Sequence, residues 1–119
     1  MIRLIFPGKC ISKDNDKSYN PKSGFFFLAP KHRAYQNMIA LQAKIQMKYP
    51  PLEGPLSVEI IFYMPNKVRG DLFNLPKSIC DALTGIVWLD DKQIESGTLC
   101  IKYDKKNPRA EMTVYRLSI

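Results

Sequence analysis

Four aspartates, Asp71, Asp81, Asp90 and Asp91, fall in one stretch of an otherwise basic chain. Carboxylate oxygens are the hard donors that Mg2+ and Mn2+ prefer. Hydrolysis of a phosphodiester needs such an ion to activate water and to neutralise charge on the phosphate. A lysine beside the carboxylates can bind the phosphate or the leaving oxygen as a point charge, and Lys77 lies inside the same stretch. Spacing alone does not demand a metal. Aspartate is common in loops and at helix starts, where it satisfies backbone N–H groups. Asp90-Asp91 ahead of Lys92-Gln93 also reads as a turn or as the cap of a short helix, and Lys77 also reads as a solvated helix residue.

For these side chains to meet, the elements around them must fold back on one another. Leu56 to Met64 has the clearest strand pattern, with Leu56, Val58, Ile60, Phe62 and Met64 alternating against Ser57, Glu59, Ile61 and Tyr63. Pro65 ends it, and a basic turn, Asn66 to Gly70, follows with Lys67 and Arg69. A helix is expected to start near Asn74, which can cap it and leaves Pro76 in the first turn, where its missing N–H does no harm. Leu75, Ile79, Ala82 and Leu83 share the inward face; Lys77 and Asp81 lie away from its centre. Gly85 is a natural stop. The apolar link Ile86 to Leu89 then leads to Asp90-Asp91. Asp71 at a loop–helix junction and Asp90/Asp91 in the later loop can thus converge.

The remaining elements supply the frame. Ile2 to Phe6 reads as a strand ended by Pro7-Gly8. Residues 9–24 read as a polar loop whose Lys9, Lys13 and Lys17 could meet a phosphate backbone. Phe25 to Leu28 reads as a short strand. Pro30 opens a helix running to about Tyr49, with Tyr35, Met38, Ile39, Gln42, Ile45 and Gln46 near one face, stopped by Pro50-Pro51. Lys31, Arg33, Lys44 and Lys48 add positive charge to it. Thr98 to Tyr103 and Glu111 to Leu117 read as final strands, and the turn between them suggests a hairpin. Lys102, Lys105, Lys106 and Arg109 are weaker candidates for phosphate contacts. This order of elements gives an α+β class, a single domain with a mixed β-sheet packed with two main helices.

Composition narrows the partners. A chain of 119 residues fits one domain. Its 45% hydrophobic content is enough for an ordinary core, which argues against disorder as the main state. A net charge of +7 and a pI near 9.4 favour polyanionic partners: DNA, RNA or an acidic membrane surface. The start of the chain is too short and interrupted in its apolar run for a signal peptide, and no apolar run is long enough for a membrane span. Cys10, Cys80 and Cys100 form no CxxC pair, which suggests reduced, structural, buried thiols in a cytoplasmic protein. With His32 as the single histidine, a zinc site is not expected.

The acidic stretch also resembles a known family. Gly70-Asp71-Leu72-Phe73-Asn74-Leu75-Pro76-Lys77, then Asp81-Ala82-Leu83, then Trp88-Leu89-Asp90-Asp91-Lys92-Gln93-Ile94 is similar to the signature of RusA-type Holliday-junction endonucleases, roughly D-L-D-N-L-x-K, D-A-L and W-x-D-D-x-Q-[IV]. The close match covers about residues 63–95; the flanks agree in size and general order. The resemblance implies a dimeric nuclease, dependent on Mg2+ or Mn2+, that resolves four-way DNA junctions with paired nicks and is commonly carried by phages and prophages. It implies that Asp71 and Asp91 are catalytic metal ligands and that Lys77 is a catalytic residue at the phosphate. Asp90 would support the metal, and Asn74 and Asp81 would play structural parts, as a cap and as a polar partner near the site. Lys67 and Arg69, next to Asp71, would pin DNA phosphates, with Lys9, Lys13 and Lys17 behind them.

One position departs from the pattern. Phe73 stands where the motif has its second Asp, and a phenyl ring offers a metal no oxygen. Asp90, Asp81 or a water could cover the lost ligand. Alternatively the protein binds junctions with weak or no cleavage, or the change is an inactivating one, for which Asn or Ala would be the usual choice. Two non-catalytic readings stay open beside the enzyme: a nucleic-acid-binding module, and a small basic RNA-binding protein of the ribosomal type. The second of these leaves the acidic blocks unexplained.

Overall fold

The computed structural model describes residues 1–12, 17–20, 25–28 and 30–117, with only the backbone described for 17–20, 25–28 and 30. The strands are β1 (Ile2–Pro7), β2 (Lys17–Asn20), β3 (Phe25–Leu28), β4 (Leu56–Met64), β5 (Ile94–Tyr103) and β6 (Arg109–Arg116). The helices are α1 (Pro30–Gln46) and α2 (Leu75–Leu83), with a 3-10 turn at Asp91–Gln93. A four-stranded mixed sheet has the order β1-β6-β4-β5, and β2 and β3 form a separate antiparallel pair. The α+β class expected from the element order is the class observed.

Alternation along the strands builds the core. Leu56, Val58, Ile60, Phe62 and Met64 of β4 are buried on the same face as Leu4 and Phe6 of β1 and Ala110, Met112 and Val114 of β6. Against that face pack Tyr35, Ile39 and Ala43 of α1, Leu75, Ile79 and Leu83 of α2, and Val87 and Trp88 from the link after α2. The opposite face, carrying Arg3, Ile5 and Glu59, is exposed to solvent. Such one-sided alternation along the antiparallel strands β1, β6 and β4 is what a sheet covered on one face requires.

Three expectations change. β5 and β6 do not form a hairpin, because β4 lies between them: β5 runs parallel to β4 and β6 antiparallel to it. The short 104–108 connection passes over the end of β4, where the Asp104 N–H donates to Met64 O at 2.9 Å. Central β4 thereby gains a hydrogen-bonded partner on each side, which a local hairpin would not give it. Within the expected 9–24 loop, residues 17–20 are a strand paired with β3. Helix α1 ends at Gln46 and turns a different stripe inward: His32, Tyr35, Ile39 and Ala43 are buried, while Ile45 is 65% exposed. Gln46 instead serves the sheet edge. Its side-chain amide donates to Ile5 O at 2.7 Å, and its carbonyl accepts from Ile5 N at 2.8 Å. The edge of β1 is thus met by an amide that mimics another strand.

Candidate active site

Helix α2 carries the site and is held from behind by packing. Leu75, Ile79 and Leu83 are fully buried. Ser78 is buried too, its Oγ 3.0 Å from His32 Nε2 of α1, and Gln36 Nε2 donates to Ser78 O at 3.4 Å. The lone histidine therefore ties the two helices together. Asn74 occupies the expected capping position but makes no side-chain cap bond; the turn before the helix closes through Asp71 O, which accepts from Asn74 N at 3.0 Å and Leu75 N at 3.1 Å. Asp71 thus sits at the loop–helix junction by way of its own backbone.

At the other end, Gly85 (φ 88°) takes the left-handed conformation that ends the helix without a Cβ penalty. The chain then folds back. Gly85 N donates to Trp88 O at 2.7 Å and Leu52 N to Val87 O at 2.8 Å. Trp88 is fully buried with its indole N–H directed at Thr84 Oγ1, 3.3 Å away. This buried anchor sets where the next two residues, Leu89 and Asp90, emerge.

Asp90 and Asp91 lie at the start of the 3-10 turn. Asp90 caps it: Oδ1 accepts from Lys92 N at 2.9 Å, while Gln93 Oε1 accepts from Asp90 N at 3.0 Å, a reciprocal capping box. The Lys92 N–H is the main reason the Asp90 carboxyl sits below the usual carboxylate range, and the neighbouring Asp91 side chain and the Lys92 charge act in the same direction. Gln93 does more than close the box. Oε1 also accepts from Leu89 N at 2.9 Å, and Nε2 donates to Leu52 O at 2.9 Å and to Gly54 O at 3.0 Å. One side chain therefore stitches the acidic turn to the loop before β4. Sequence reasoning passed over Gln93 as a functional residue, although the glutamine of the W-x-D-D-x-Q block was the available signal.

The turn comes back against α2. The Cys80 thiol is pushed up to about 12, first by burial and then by the negative charges of Asp81 and Asp91, which places both carboxylates near it. Lys77, Cys80 and Asp81 are spaced three and four residues apart and so share one side of the helix. Asp81 and Asp91 both act on Cys80, Lys77 lies one turn before Asp81 along the helix, and all three charged residues are exposed. Asp71 lies outside the helix, in the turn that leads into it. Phe73 is 77% exposed. Its ring fills no hole in the core and stands at the rim of the acidic segment.

The donor chemistry suits a hard divalent cation, being all oxygen. Among the described residues, no three Asp, Glu, His or Cys side chains stand close enough together to hold a metal ion. Mg2+ is commonly bound by one or two carboxylates, with waters and substrate phosphates completing its shell. The adjacent Asp90 and Asp91 carboxylates fit that mode.

The basic residues expected to meet DNA differ in their settings. Lys9 and Arg69 line one cavity, together with Lys31 and Gly70. Lys67 is exposed in the turn after β4, outside that lining. Lys13 and the side chain of Lys17 lie outside the described residues. Arg109 is not a spare cation. Its Nε donates to Glu111 at 2.7 Å, Nη1 to Asp104 at 3.0 Å, and its guanidinium stacks 3.8 Å from the Tyr63 ring centroid. Cys10 is buried, but Cys100 is exposed on the open sheet face, so the three thiols are not uniformly core residues.

A small α+β protein with a carboxylate-and-lysine segment wound around one short helix, beside a cavity lined by cations, is the class these features define. Over residues 7–115 the chain matches the family model of endodeoxyribonuclease RusA, and it belongs to that family. It is 32% identical over 101 residues to the crossover junction endodeoxyribonuclease RusA of Escherichia coli K12 and to that of Enterobacteria phage 82, with 84% of each chain covered. The RusA of Escherichia coli O139:H28 is 30% identical over 104 residues, 87% of each chain.

Proposed function

We propose that the chain is one RusA-like endonuclease domain, 1–119, that cuts four-way DNA junctions by paired symmetric nicks as a homodimer. The observation that carries this reading is the approach of Asp81 and Asp91 to Cys80 of α2, with Lys77 one turn before Asp81, in a chain of the RusA family. Asp90 and Asp91 would hold Mg2+ or Mn2+, with waters and the DNA phosphate completing its shell; Asp71, the third carboxylate expected from the motif, forms no three-carboxylate cluster with them and would join the ion only in the complex with DNA. Such an ion supplies an activated water and offsets phosphate charge when bound. Lys77 would bind the scissile phosphate and stabilise the charge that builds in the transition state. Gln93 would hold the acidic turn at its distance from α2. Lys67, Arg69, Lys9, Lys13 and Lys17 would position the DNA by its phosphates, giving affinity that falls steeply with salt. The homodimer follows from the substrate: two equivalent cuts on a two-fold junction call for two equivalent sites. The phage relative supports a place in the cytoplasm of a bacterium or an infected host, and among the described residues no helix is long and apolar enough to cross a membrane.

The test is a synthetic four-way junction incubated with Mg2+ or Mn2+. Symmetric nicks that disappear in Asp91→Asn support the enzyme. A second reading, a junction-binding protein with weakened cleavage, draws on exposed Phe73 in place of a carboxylate. Tight junction binding without nicks, even in Mn2+, would favour it. Binding no tighter to the junction than to linear duplex would sink both.

A further inference from the structure

Beside the acidic segment lies a cavity of about 320 Å3 whose lining includes Lys9, Ser12, Lys31, Arg69 and Gly70 and, among the described residues, no acidic one. Three cations from three separate parts of the chain converge on it: the segment after β1, the first turn of α1 and the turn after β4. Like charges gathered around one concavity repel one another unless an anion joins them. None of the three takes part in an ion pair among the described residues.

The cavity is built, not incidental to loose side chains. Its floor is fixed by buried Cys10, which packs beside Tyr35 of α1. Its wall depends on Gly70, where any Cβ would overlap the Ser12 side chain, so only glycine lets the two segments approach this closely. Arg69 is oriented by two bonds, Nε to Tyr103 Oη at 3.1 Å and Nη1 to Gly70 O at 3.2 Å. Those use two of the guanidinium's five donors and leave others for a ligand. Lys31 stands on the first turn of a 17-residue helix, whose N-terminal end itself favours negative charge. Gly70 is followed directly by Asp71, so the cavity and the acidic segment share a border.

We infer that this cavity, with Lys31 as the cation that the family motif does not point to, seats a backbone phosphate of the DNA next to the phosphate that is cut. The inference rests on the nuclease reading and deepens it. Holding the neighbouring phosphate fixes the register of the strand over Asp91 and Lys77, a positioning task and not a chemical one.

The experiment measures the affinity of the full chain, without divalent metal, for a four-way junction and for a linear duplex across a range of salt. Lys31→Gln and Lys9→Gln are each compared with Lys44→Gln, an exposed cation in the last turn of the same helix and outside the cavity. Removal of one phosphate contact reduces the salt slope by about one. That loss is expected in Lys31→Gln and Lys9→Gln, on both DNAs, and not in Lys44→Gln. Slopes for the two cavity variants equal to that of Lys44→Gln would overturn the cavity assignment while leaving junction selectivity, and hence the nuclease reading, intact. Loss of junction preference in the unaltered chain with the slope change still present would do the reverse. Inorganic phosphate at matched ionic strength should not displace the DNA; displacement abolished by Lys31→Gln would assign the cavity to the free ion instead.

Discussion

The segment from Asp71 to Gln93 has two sides with opposite character. On its inner side Leu75, Ser78, Ile79, Leu83, Val87 and Trp88 are almost completely removed from water. On its outer side Asp71, Phe73, Lys77, Asp81, Asp90 and Asp91 are exposed, and the ties that hold this side include backbone turns, a cap and one glutamine. The inner side makes the fold; the outer side holds the groups that do chemistry. Substitutions on the two sides should therefore separate stability from activity, since surface changes away from caps and networks usually leave stability nearly unaltered.

The largest expected effect is on the inner side. Trp88→Ala removes a fully buried indole and should lower stability by about 3–5 kcal/mol, as for other large aromatic truncations in cores. Thermal or denaturant unfolding measures it directly. A loss under about 1 kcal/mol would mean that the link after α2 is not the anchor described here. Asp91→Asn comes next and belongs to the outer side. It should cut nicking by roughly 100-fold or more while the melting temperature stays near that of the unaltered chain. A stability loss as large as that of Trp88→Ala would erase the distinction between the two sides.

Gln93 tests the boundary between them. Its side chain makes four hydrogen bonds to backbone groups of Leu52, Gly54, Leu89 and Asp90. Gln93→Ala should lower metal affinity or nicking by about 10–100-fold, the range for residues that orient a ligand. Mn2+ titration separates this from a general loss of fold: metal affinity should fall in a variant that still melts cooperatively. Phe73→Asp probes the same rim from the other direction. A carboxylate there adds an oxygen donor at an exposed position, and metal affinity should rise by about 10-fold. No gain would show that Phe73 is not what limits the site.

What the sequence made legible follows the same division. Strand β4 and helix α2 were readable because burial of one face imposes a period of two or of 3.6 on the residues. The placing of β5 and β6 on either side of β4 was not readable. A short turn of polar residues looks the same whether it closes a hairpin or crosses the end of a third strand, and the pairing is decided by partners far away in the chain. Strand β2 was missed because Lys17-Ser18-Tyr19-Asn20 has no apolar alternation of its own. In α1 the buried stripe runs through His32 and Ala43, a polar and a small residue that apolar periodicity passes over, so periodicity points Ile45 inward while it lies outward. At the site, the residue types Asp and Lys could be read from the chemistry they serve. Gln93 is marked only by its place in the W-x-D-D-x-Q block, because its work is to satisfy backbone groups that only folding brings together.

Asp90 gives the smallest expected effect and the sharpest contrast within the rim, because it is both a cap and a candidate ligand. Its carboxyl titrates below the ordinary carboxylate range, chiefly because the Lys92 N–H donates to it in the folded state. A group with a lowered folded-state pKa stabilises the fold fully above its unfolded value, about 4 for Asp, and loses that contribution as pH falls through the folded value. Asp104 is lowered for a parallel reason, first by the Asn107 N–H and then by Arg109, in the loop that crosses the end of β4. Melting curves followed from neutral pH into acid should therefore flatten at the acid end in both Asp90→Asn and Asp104→Asn, because each removes one such titration. Metal should distinguish them. Added Mg2+ should raise the melting temperature of Asp104→Asn as it does that of the unaltered chain, by mass action on the folded state, and raise that of Asp90→Asn less. Equal rises would confine Asp90 to capping the turn and leave Asp91 as the ligand of the pair.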